Sequence, residues 1–518
     1  MAAVGLGAIG AVALSTLLIT HARPAAVKPE YREGLVAAHR PLSLNPLVQA
    51  GDTAVHDLGT LLYRRLLRLD GRAYPVPDLA SNVVVSTDGL TYTLTLAGNL
   101  VWSDGRPLTS TDVLATLAFV QSPAEEDSAL RVSWSKVKVA AGGGENRVLV
   151  FTLPAPHAAF AVMLTDLPIL PLAGRSATEL KGMPGHATEP MATSGRYRVL
   201  SADATTVKLD GNEHAGGSLL LHRLEMRLVS GIDEAARLLN EGSIDAVMAT
   251  SPAERARVSG GGRTVTAVPT FRFVDLVFNE HAPTLVDPVV RRAIAVALDR
   301  ATLVRVAGGV GRPQSGPVPP SIAWIGPAAP APGSLDAAAA GLAAGGWAGA
   351  PRAKDGQPLT LRLSVPNVSP LPDVGAEVAR QLAPLGIVVQ VTPVKAERFL
   401  PDVLGSRAFD MALADWDNSA DPDVSSFWRS DAVPPRGFNV SGGAPDYFLD
   451  RELDGLTTLS DIDQRRQAIA HVEAQLADDL PAVFLYTPEV SFITRADLAG
   501  VTVPSSANRF ATVAAWHH

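Results

Sequence analysis

At 518 residues the chain is too long for one hydrophobic core, and its 47% hydrophobic against 19% charged residues exclude a disordered protein. The net charge of −8 disfavours a nucleic acid as partner, because binding phosphate groups requires a basic surface. Cysteine is absent, which excludes disulfide bonds, thiolate catalysis and cysteine-ligated metals.

The N-terminal residues 2–20 form an uncharged run dominated by Ala, Val, Leu, Ile and Gly. A run of this length is just sufficient to cross a bilayer. The basic region typical of a signal peptide is missing apart from the terminal amine. A signal peptide cleaved near Ala22 or Ala26 and a retained membrane anchor therefore both remain open, with a buried core helix as a third alternative.

A hairpin followed by a capped helix is predicted for residues 83–117. Residues 83–85 and 91–96 alternate as strands do, and the intervening Asp88-Gly89 pair tolerates the positive φ of a tight turn. Thr109 or Ser110 is a good N-cap for the helix that follows.

Longer elements are predicted on both sides of this unit. Residues 58–70 have the composition of an apolar helix, and residues 274–279 alternate as a strand. Asp287 and Pro288 are suited to begin a helix, which Gly308-Gly309 would end.

Short apolar strands alternate with helices in the second half of the chain. The sequence predicts strands at 359–365, 387–391 and 409–414, and a helix at 377–385. Such an alternation indicates βα units around a mixed or parallel sheet. Ligands of sheets of this kind bind beyond the ends of the strands.

Four sequence blocks carry a resemblance to a known family, namely LSLNPL (42–47), STDGLTYTLTL (86–96), WSDGRPLTSTDV (102–113) and DPVVRRAIAVALDRATLV (287–304). Together they resemble the extracellular solute-binding proteins of the peptide/nickel class. Those proteins are the ligand-capturing subunits of ABC importers. The blocks occur in the family's order along the chain.

The resemblance implies an α/β, two-lobed, periplasmic-binding-protein-like (type II) fold with an extra subdomain inserted in the first lobe. The implied domains are a signal peptide or membrane anchor at 1–27, lobe I at 28–70, 186–270 and 481–518, an inserted subdomain at 71–185, and lobe II at 271–480. It also implies an extracytoplasmic monomer that needs no cofactor. Its partners would be a small-molecule or peptide ligand and a membrane complex of permease and ATPase.

The loop at 415–423 is the candidate ligand site, because it places four carboxylates and an indole directly after a predicted strand. In peptide-binding relatives a similar loop pairs an aspartate with the α-ammonium group of the peptide, while its tryptophan shapes a pocket. The interval from the tryptophan to the proline is one residue shorter here, so the amine-pairing position falls on Asn418 or Ser419, unless Asp417 or Asp421 takes that role. No arginine for the carboxylate of a dipeptide occurs in residues 366–372. The ligand-binding prediction comprises Trp416, Asp417, Asn418, Ser419 and Asp421.

Motifs of common enzymes are missing from the sequence, namely G-x-S-x-G, H-E-x-x-H and G-x-x-x-x-G-K-[ST]. The histidines are scattered and predict no metal site. Two functions remain open. The first is solute capture for an ABC importer, and the alternative is a degenerate family member that regulates or scaffolds a cell-envelope process without transport.

Overall fold

The computed structural model describes residues 30–49, 51–122, 129–143, 146–176, 179, 189–326, 333–443 and 446–518. The apolar segment at 2–20 lies outside these ranges, and its assignment as a signal peptide or membrane anchor stays a prediction. Within the described ranges no helix is both long and apolar enough to cross a membrane.

The first part of the chain forms β1 (Tyr31–Val36), α1 (Thr53–Leu62), β2 (Leu67–Leu69), β3 (Pro75–Pro77), β4 (Ala80–Val85), β5 (Thr91–Leu96), α2 (Ser110–Val120), α3 (Ala129–Trp134), β6 (Lys138–Ala141), β7 (Val148–Thr152) and α4 (Phe160–Asp166). The middle part forms β8 (Tyr197–Ala202), β9 (Thr206–Gly211), β10 (Arg223–Val229), α5 (Ile232–Asn240), β11 (Ala246–Ala249), α6 (Pro252–Val258), β12 (Thr264–Pro269), β13 (Arg272–Phe278), α7 (Pro288–Ala297), α8 (Arg300–Val306) and β14 (Gly311–Pro313).

The last part forms α9 (Leu335–Ala344), β15 (Ala353–Lys354), β16 (Gln357–Pro358), β17 (Thr360–Pro366), α10 (Leu371–Leu382), β18 (Val388–Val394), α11 (Ala396–Arg398), β19 (Met411–Asp417), α12 (Ser425–Trp428), α13 (Tyr447–Thr458), α14 (Ile462–Asp479) and β20 (Ala482–Thr494). The largest sheet has the strand order β18-β17-β19-β13-β20-β11-β1-β10-β9-β8, and β12 and β14 also pair with β20. Parallel pairs such as β17 with β18 and antiparallel pairs such as β13 with β19 both occur, which confirms the predicted mixed α/β sheet.

The predicted hairpin and capped helix are confirmed. β4 pairs with β5 in antiparallel register, and Gly89 in the turn has a φ of +69°. α2 begins with a capping box, in which the Thr109 and Asp112 side chains each bond to the backbone of the other. With β6 and β7, this hairpin builds a separate sheet in the order β4-β5-β7-β6.

Three predicted helices are wrong in their extent. The helix expected over 377–385 is α10, which begins at Leu371 and ends at Leu382. The helix expected over 58–70 ends at Leu62, because Tyr63 adopts an extended backbone and residues 67–69 pair with β3. The helix expected to run to Gly308 is divided into α7 and α8. The division follows from Asp299, whose side chain caps α8 while its backbone N–H donates to Oε1 of Gln381 at 2.7 Å.

The described residues bury separate hydrophobic cores on either side of a pair of crossing strands. One core contains β1, α1 and the hairpin sheet and extends to Trp516 near the C-terminus. The sheet of β13, β17 and β19 has a core on each face, one with α7 and α10 and one with α13 and α14.

The crossing strands are β20 and the continuous pair β12 and β13. Residues 482–486 of β20 pair with β13, whereas residues 489–494 pair with β12. Both strands therefore pass side by side from one core to the other, and a pair of strands of this kind is a suitable hinge. The predicted limits of the lobes stay a prediction.

Candidate ligand-binding cleft

A small cavity of about 90 Å³ lies at this hinge between the two cores. On one side of the hinge it is lined by Thr250, Ser251, Pro252, Arg255 and Ser491, and on the other side by Arg272, Ser369, Leu371, Asp415 and Tyr486. Its charged and hydroxyl groups are suited to a polar ligand. The end of β19 forms part of its wall, as the strand-end argument predicts.

Arg272 and Asp415, which both line this cavity, form an ion pair. Neighbouring strands bring the two residues together, and Nε of Arg272 lies 3.2 Å from Oδ1 of Asp415. A second guanidinium nitrogen bonds to the other carboxylate oxygen. Burial raises the pKa of Asp415 above its ordinary value, while the charge of Arg272 opposes that rise.

Trp416 lies on the opposite face of β19 from Asp415, because successive strand residues alternate between faces. Its indole Nε1 donates to Oδ1 of the fully buried Asp275 at 3.0 Å. Its ring contacts Phe427 edge-on and also lies against Phe438, at centroid distances of 5.3 and 5.5 Å. The indole is therefore held in place on the side away from the hinge cavity.

The predicted loop begins three residues later than expected, because β19 continues through Asp417. Asp417 is exposed, and no described group donates a hydrogen bond to its carboxylate. Oδ1 of Asn418 accepts from the backbone N–H of Ser419 at 2.9 Å, and Oγ of Ser419 accepts from the backbone N–H of Asp421 at 3.0 Å. Nδ2 of Asn418 is buried without a partner among the described residues. Residues 418 and 419 thus form a turn that presents Asp417 at its start.

Asp421 has surroundings of the opposite kind. Its side chain is 2% exposed, and both carboxylate oxygens accept from Arg465 of α14, at 2.6 and 2.9 Å. Asp423 accepts from the backbone N–H of Ser425 at 2.9 Å, and burial raises the pKa of its carboxyl group. The four carboxylates of the loop are therefore not one acidic patch, since arginines pair with two of them.

Sequence reasoning missed Arg272 and Arg465. Arg272 is the only basic residue of β13 and lies at the N-terminal end of this strand. Its charge is the one local feature indicating that it is not a core residue. Arg465 is one of two adjacent arginines in α14, and nothing in the sequence distinguishes it from the neighbouring Arg466.

The hairpin sheet and its surroundings also touch the second core. The backbone N–H of Ala158 donates to the carbonyl of Thr457 at 2.7 Å, and that of Trp324 donates to the carbonyl of Arg72 at 3.2 Å. A cavity of about 350 Å³ remains between these contacts, lined among others by Tyr74, Tyr92 and Trp324 and by the Asp421–Arg465 pair. Within the described part of the chain no group of three or more His, Asp or Glu side chains is arranged to hold a metal ion.

Comparison with known proteins decides the family. The family model for bacterial extracellular solute-binding proteins, family 5 (middle) matches residues 74–435. The chain belongs to this family. Protein XP55 of Streptomyces lividans is 28% identical over 461 residues, which cover 86% of this chain and 82% of that protein. The glutathione-binding protein GsiB of Salmonella typhi is 26% identical over 441 residues, covering 82% and 83%.

Solved structures have the same fold. An ABC transporter substrate-binding protein from Sinorhizobium meliloti superposes with a TM-score of 0.78 at 20% identity, over 92% of this chain and 98% of that one. The murein tripeptide binding protein MppA in its unliganded open form gives a TM-score of 0.78 at 19% identity, over 95% and 98%. NikZ from Campylobacter jejuni with Ni(L-His) gives 0.66 at 20%, over 95% and 100%.

These findings confirm the predicted family and the two-lobed type II fold. The protein is a family 5 substrate-binding protein of the kind that serves ABC importers. Members of this family are extracytoplasmic solute-binding proteins rather than enzymes.

Proposed function

We propose that the protein captures a short peptide or a similar small polar solute in the hinge cavity and delivers it to a membrane permease. The observation that carries this proposal is the Arg272–Asp415 pair, which puts a cation and an anion together at the junction of the two cores. The carboxylate of a peptide can pair with Arg272 in place of Asp415, and a charge-assisted hydrogen bond of this kind offsets the cost of desolvation.

The relatives' names support a ligand built from amino acids. The ligands named for the relatives described above are glutathione, a murein tripeptide and a nickel–histidine complex. All of these carry amino or carboxylate groups. We place the ligand's ammonium group at Asp417, whose carboxylate is exposed and not hydrogen-bonded to any described residue.

Residues 366–372 contain no arginine that could bind the ligand's carboxylate. Arg272 binds this carboxylate instead. Trp416, Asn418 and Ser419 shape the strand end on which Asp417 stands. Asp421, enclosed with Arg465, anchors the loop and makes no contact with the ligand.

Capture requires the cleft to open and close. A cavity of about 90 Å³ is smaller than the roughly 300–1,000 Å³ of ordinary ligand pockets, so ligand entry needs either lobe opening or separation of the Arg272–Asp415 pair. We propose that β20 and the β12–β13 connection bend, and that the inserted subdomain moves with lobe I. The ligand then shifts the protein toward the closed form because it binds that form better.

Calorimetric titration of the intact protein with di- and tripeptides tests this function. Wild type is expected to bind at least one peptide class saturably, and the neutral double variant Arg272→Gln/Asp415→Asn is expected to bind it at least tenfold more weakly. The surface pair Arg398 and Asp402 offers a matched control, Arg398→Gln/Asp402→Asn, because it is exposed and lies outside the cavity. Equal affinity in all three proteins would contradict the assignment.

The small volume of the hinge cavity also favours a second candidate function. A non-transporting regulator or scaffold of the cell envelope would have no need of an open ligand pocket. Failure of every peptide and small polar solute to bind, together with unchanged peptide uptake in a deletion strain, would support this alternative over capture.

A further inference from the structure

A second cavity, here called the arginine cavity, lies in the first core away from the hinge. It encloses about 400 Å³ between the end of α1, the connection 63–69, residues 195–196 and the C-terminal segment around Phe510. None of its lining residues belongs to the hinge cavity, and none comes from the second core.

Four arginines line this cavity, against a single carboxylate. They are Arg64, Arg65, Arg68 and Arg196, and the carboxylate is that of Asp78. Such a concentration of cations is unexpected in a chain of net charge −8. Because the potentials of like charges add in a concave site, the cavity carries a local positive potential that attracts anions.

The single carboxylate is already engaged. Nε of Arg64 donates to Oδ1 of Asp78 at 2.8 Å, and the backbone N–H of Arg65 donates to Oδ2 at 3.2 Å. Arg65 is 7% exposed, and its guanidinium group donates to the carbonyls of Gly59 and Tyr63. These two arginines therefore form a fixed, largely enclosed wall.

Arg68 and Arg196 differ from Arg64 and Arg65 in their exposure and in their hydrogen bonding. Both are exposed, and in the part of the chain that the structure describes neither guanidinium group donates a hydrogen bond or joins an ion pair. These two uncommitted guanidinium groups line the same cavity as the fixed cationic wall and add further N–H donors to it. The planar fork of arginine is suited to oxyanions, and to phosphate in particular, which accepts from several guanidinium groups at once.

We propose that the arginine cavity binds a phosphate group, either as a free phosphate or as the headgroup of an anionic phospholipid. Its volume lies within the range of small-molecule sites and leaves room for a substituent on the phosphate. We expect the arginine cavity to bind an anion, whereas the hinge cleft is proposed to bind an ammonium group. The only carboxylate that lines the arginine cavity, that of Asp78, is already paired and cannot bind a cation. This site is independent of the peptide proposal.

Titration of the intact protein with inorganic phosphate at low ionic strength tests the site. Wild type is expected to bind phosphate saturably, and Arg68→Gln/Arg196→Gln is expected to bind it at least tenfold more weakly. Both side chains are exposed, so the variant is expected to keep the circular dichroism spectrum of wild type. The control Arg436→Gln/Lys136→Gln removes two exposed cations outside the cavity and is expected to bind like wild type.

Sedimentation with vesicles separates the two sources of the phosphate group. Binding to phosphatidylglycerol vesicles is compared with binding to phosphatidylcholine vesicles. Any binding through the apolar N-terminal segment does not need the anionic headgroup, so it contributes equally to both and does not affect the difference. A preference for phosphatidylglycerol that phosphate abolishes and that Arg68→Gln/Arg196→Gln lacks would identify a lipid headgroup. Phosphate binding without that preference would identify a free anion. Absence of phosphate binding in wild type, or an equal loss in the control variant, would overturn the proposal.

Discussion

Two aspartates of one short loop, Asp417 and Asp421, have contrasting surroundings. Asp421 is enclosed and bonded through both oxygens to Arg465, whereas Asp417 is exposed at the end of β19 with no hydrogen bond from a described group. Residue type is the same in both cases, so burial and partner decide the role. A paired, enclosed carboxylate stabilises the loop, while a free one at a strand end is available to a ligand.

The largest effect is expected when the enclosed pair is broken. Arg465→Met leaves the buried Asp421 without its cationic partner and with only the backbone N–H of Asp423 as a donor, and removing one member of a buried pair costs about 3–5 kcal/mol of the free energy of unfolding. Urea denaturation measures this loss. The adjacent Arg466 has a 38% exposed side chain and pairs with Asp463 at the surface, so Arg466→Met is expected to cost about 1 kcal/mol or less. Equal costs for the two variants would mean that Asp421 does not anchor the loop.

The next effect concerns the ring that supports the strand end. Trp416→Ala removes the contacts with Phe427 and Phe438 and is expected to weaken binding of a peptide ligand by about 1–3 kcal/mol. Ligand binding is also expected to change the tryptophan fluorescence of wild type. Trp416→Phe keeps an aromatic ring and loses only the bond to Asp275, so it is expected to retain most of the affinity. Undiminished affinity of Trp416→Ala for a proven ligand would remove Trp416 from the site.

Asp275 differs from both Asp417 and Asp421, because it is fully buried and hydrogen-bonded to the indole of Trp416. Burial raises its pKa well above the ordinary value, so the folded protein holds this proton over a pH range in which the unfolded chain has lost it. The free energy of unfolding therefore falls as pH rises above about 4, the ordinary aspartate pKa.

Asp275→Asn cannot titrate and removes this contribution. The stability difference between Asp275→Asn and wild type is expected to shift in favour of the variant by about 1–2 kcal/mol between pH 4 and pH 7. Urea denaturation at the two pH values provides the measurement, with Asp336→Asn on the surface of α9 as the control for loss of a carboxyl group. A difference that stays constant with pH would show that Asp275 is ionised in the fold.

Local features of the fold were predictable from the sequence because a few neighbouring residues determine them. The turn at Gly89 and the capping box of Thr109 and Asp112 are examples. The division between α7 and α8 was not predictable, since it involves Gln381, which follows Asp299 by 82 residues.

In the candidate site, too, local features were predictable from the sequence and contacts between distant residues were not. The sequence placed a polar loop at a strand end, and Trp416 and Asp417 do lie at the end of β19. The partners that distinguish its carboxylates are remote, because Arg272 precedes Asp415 by 143 residues and Arg465 follows Asp421 by 44. A carboxylate count along the chain therefore overstated the negative charge of the loop.

We propose that Asp417, rather than Asp421, receives the ammonium group of the ligand. Isothermal titration of wild type and Asp417→Asn, with one bound peptide before and after N-acetylation, tests it most directly. Wild type is expected to lose about 1–2 kcal/mol of binding free energy on acetylation, whereas Asp417→Asn, already weaker, is expected to bind both forms equally. Equal binding of both forms by wild type, or an undiminished preference of Asp417→Asn for the free amine, would contradict the claim.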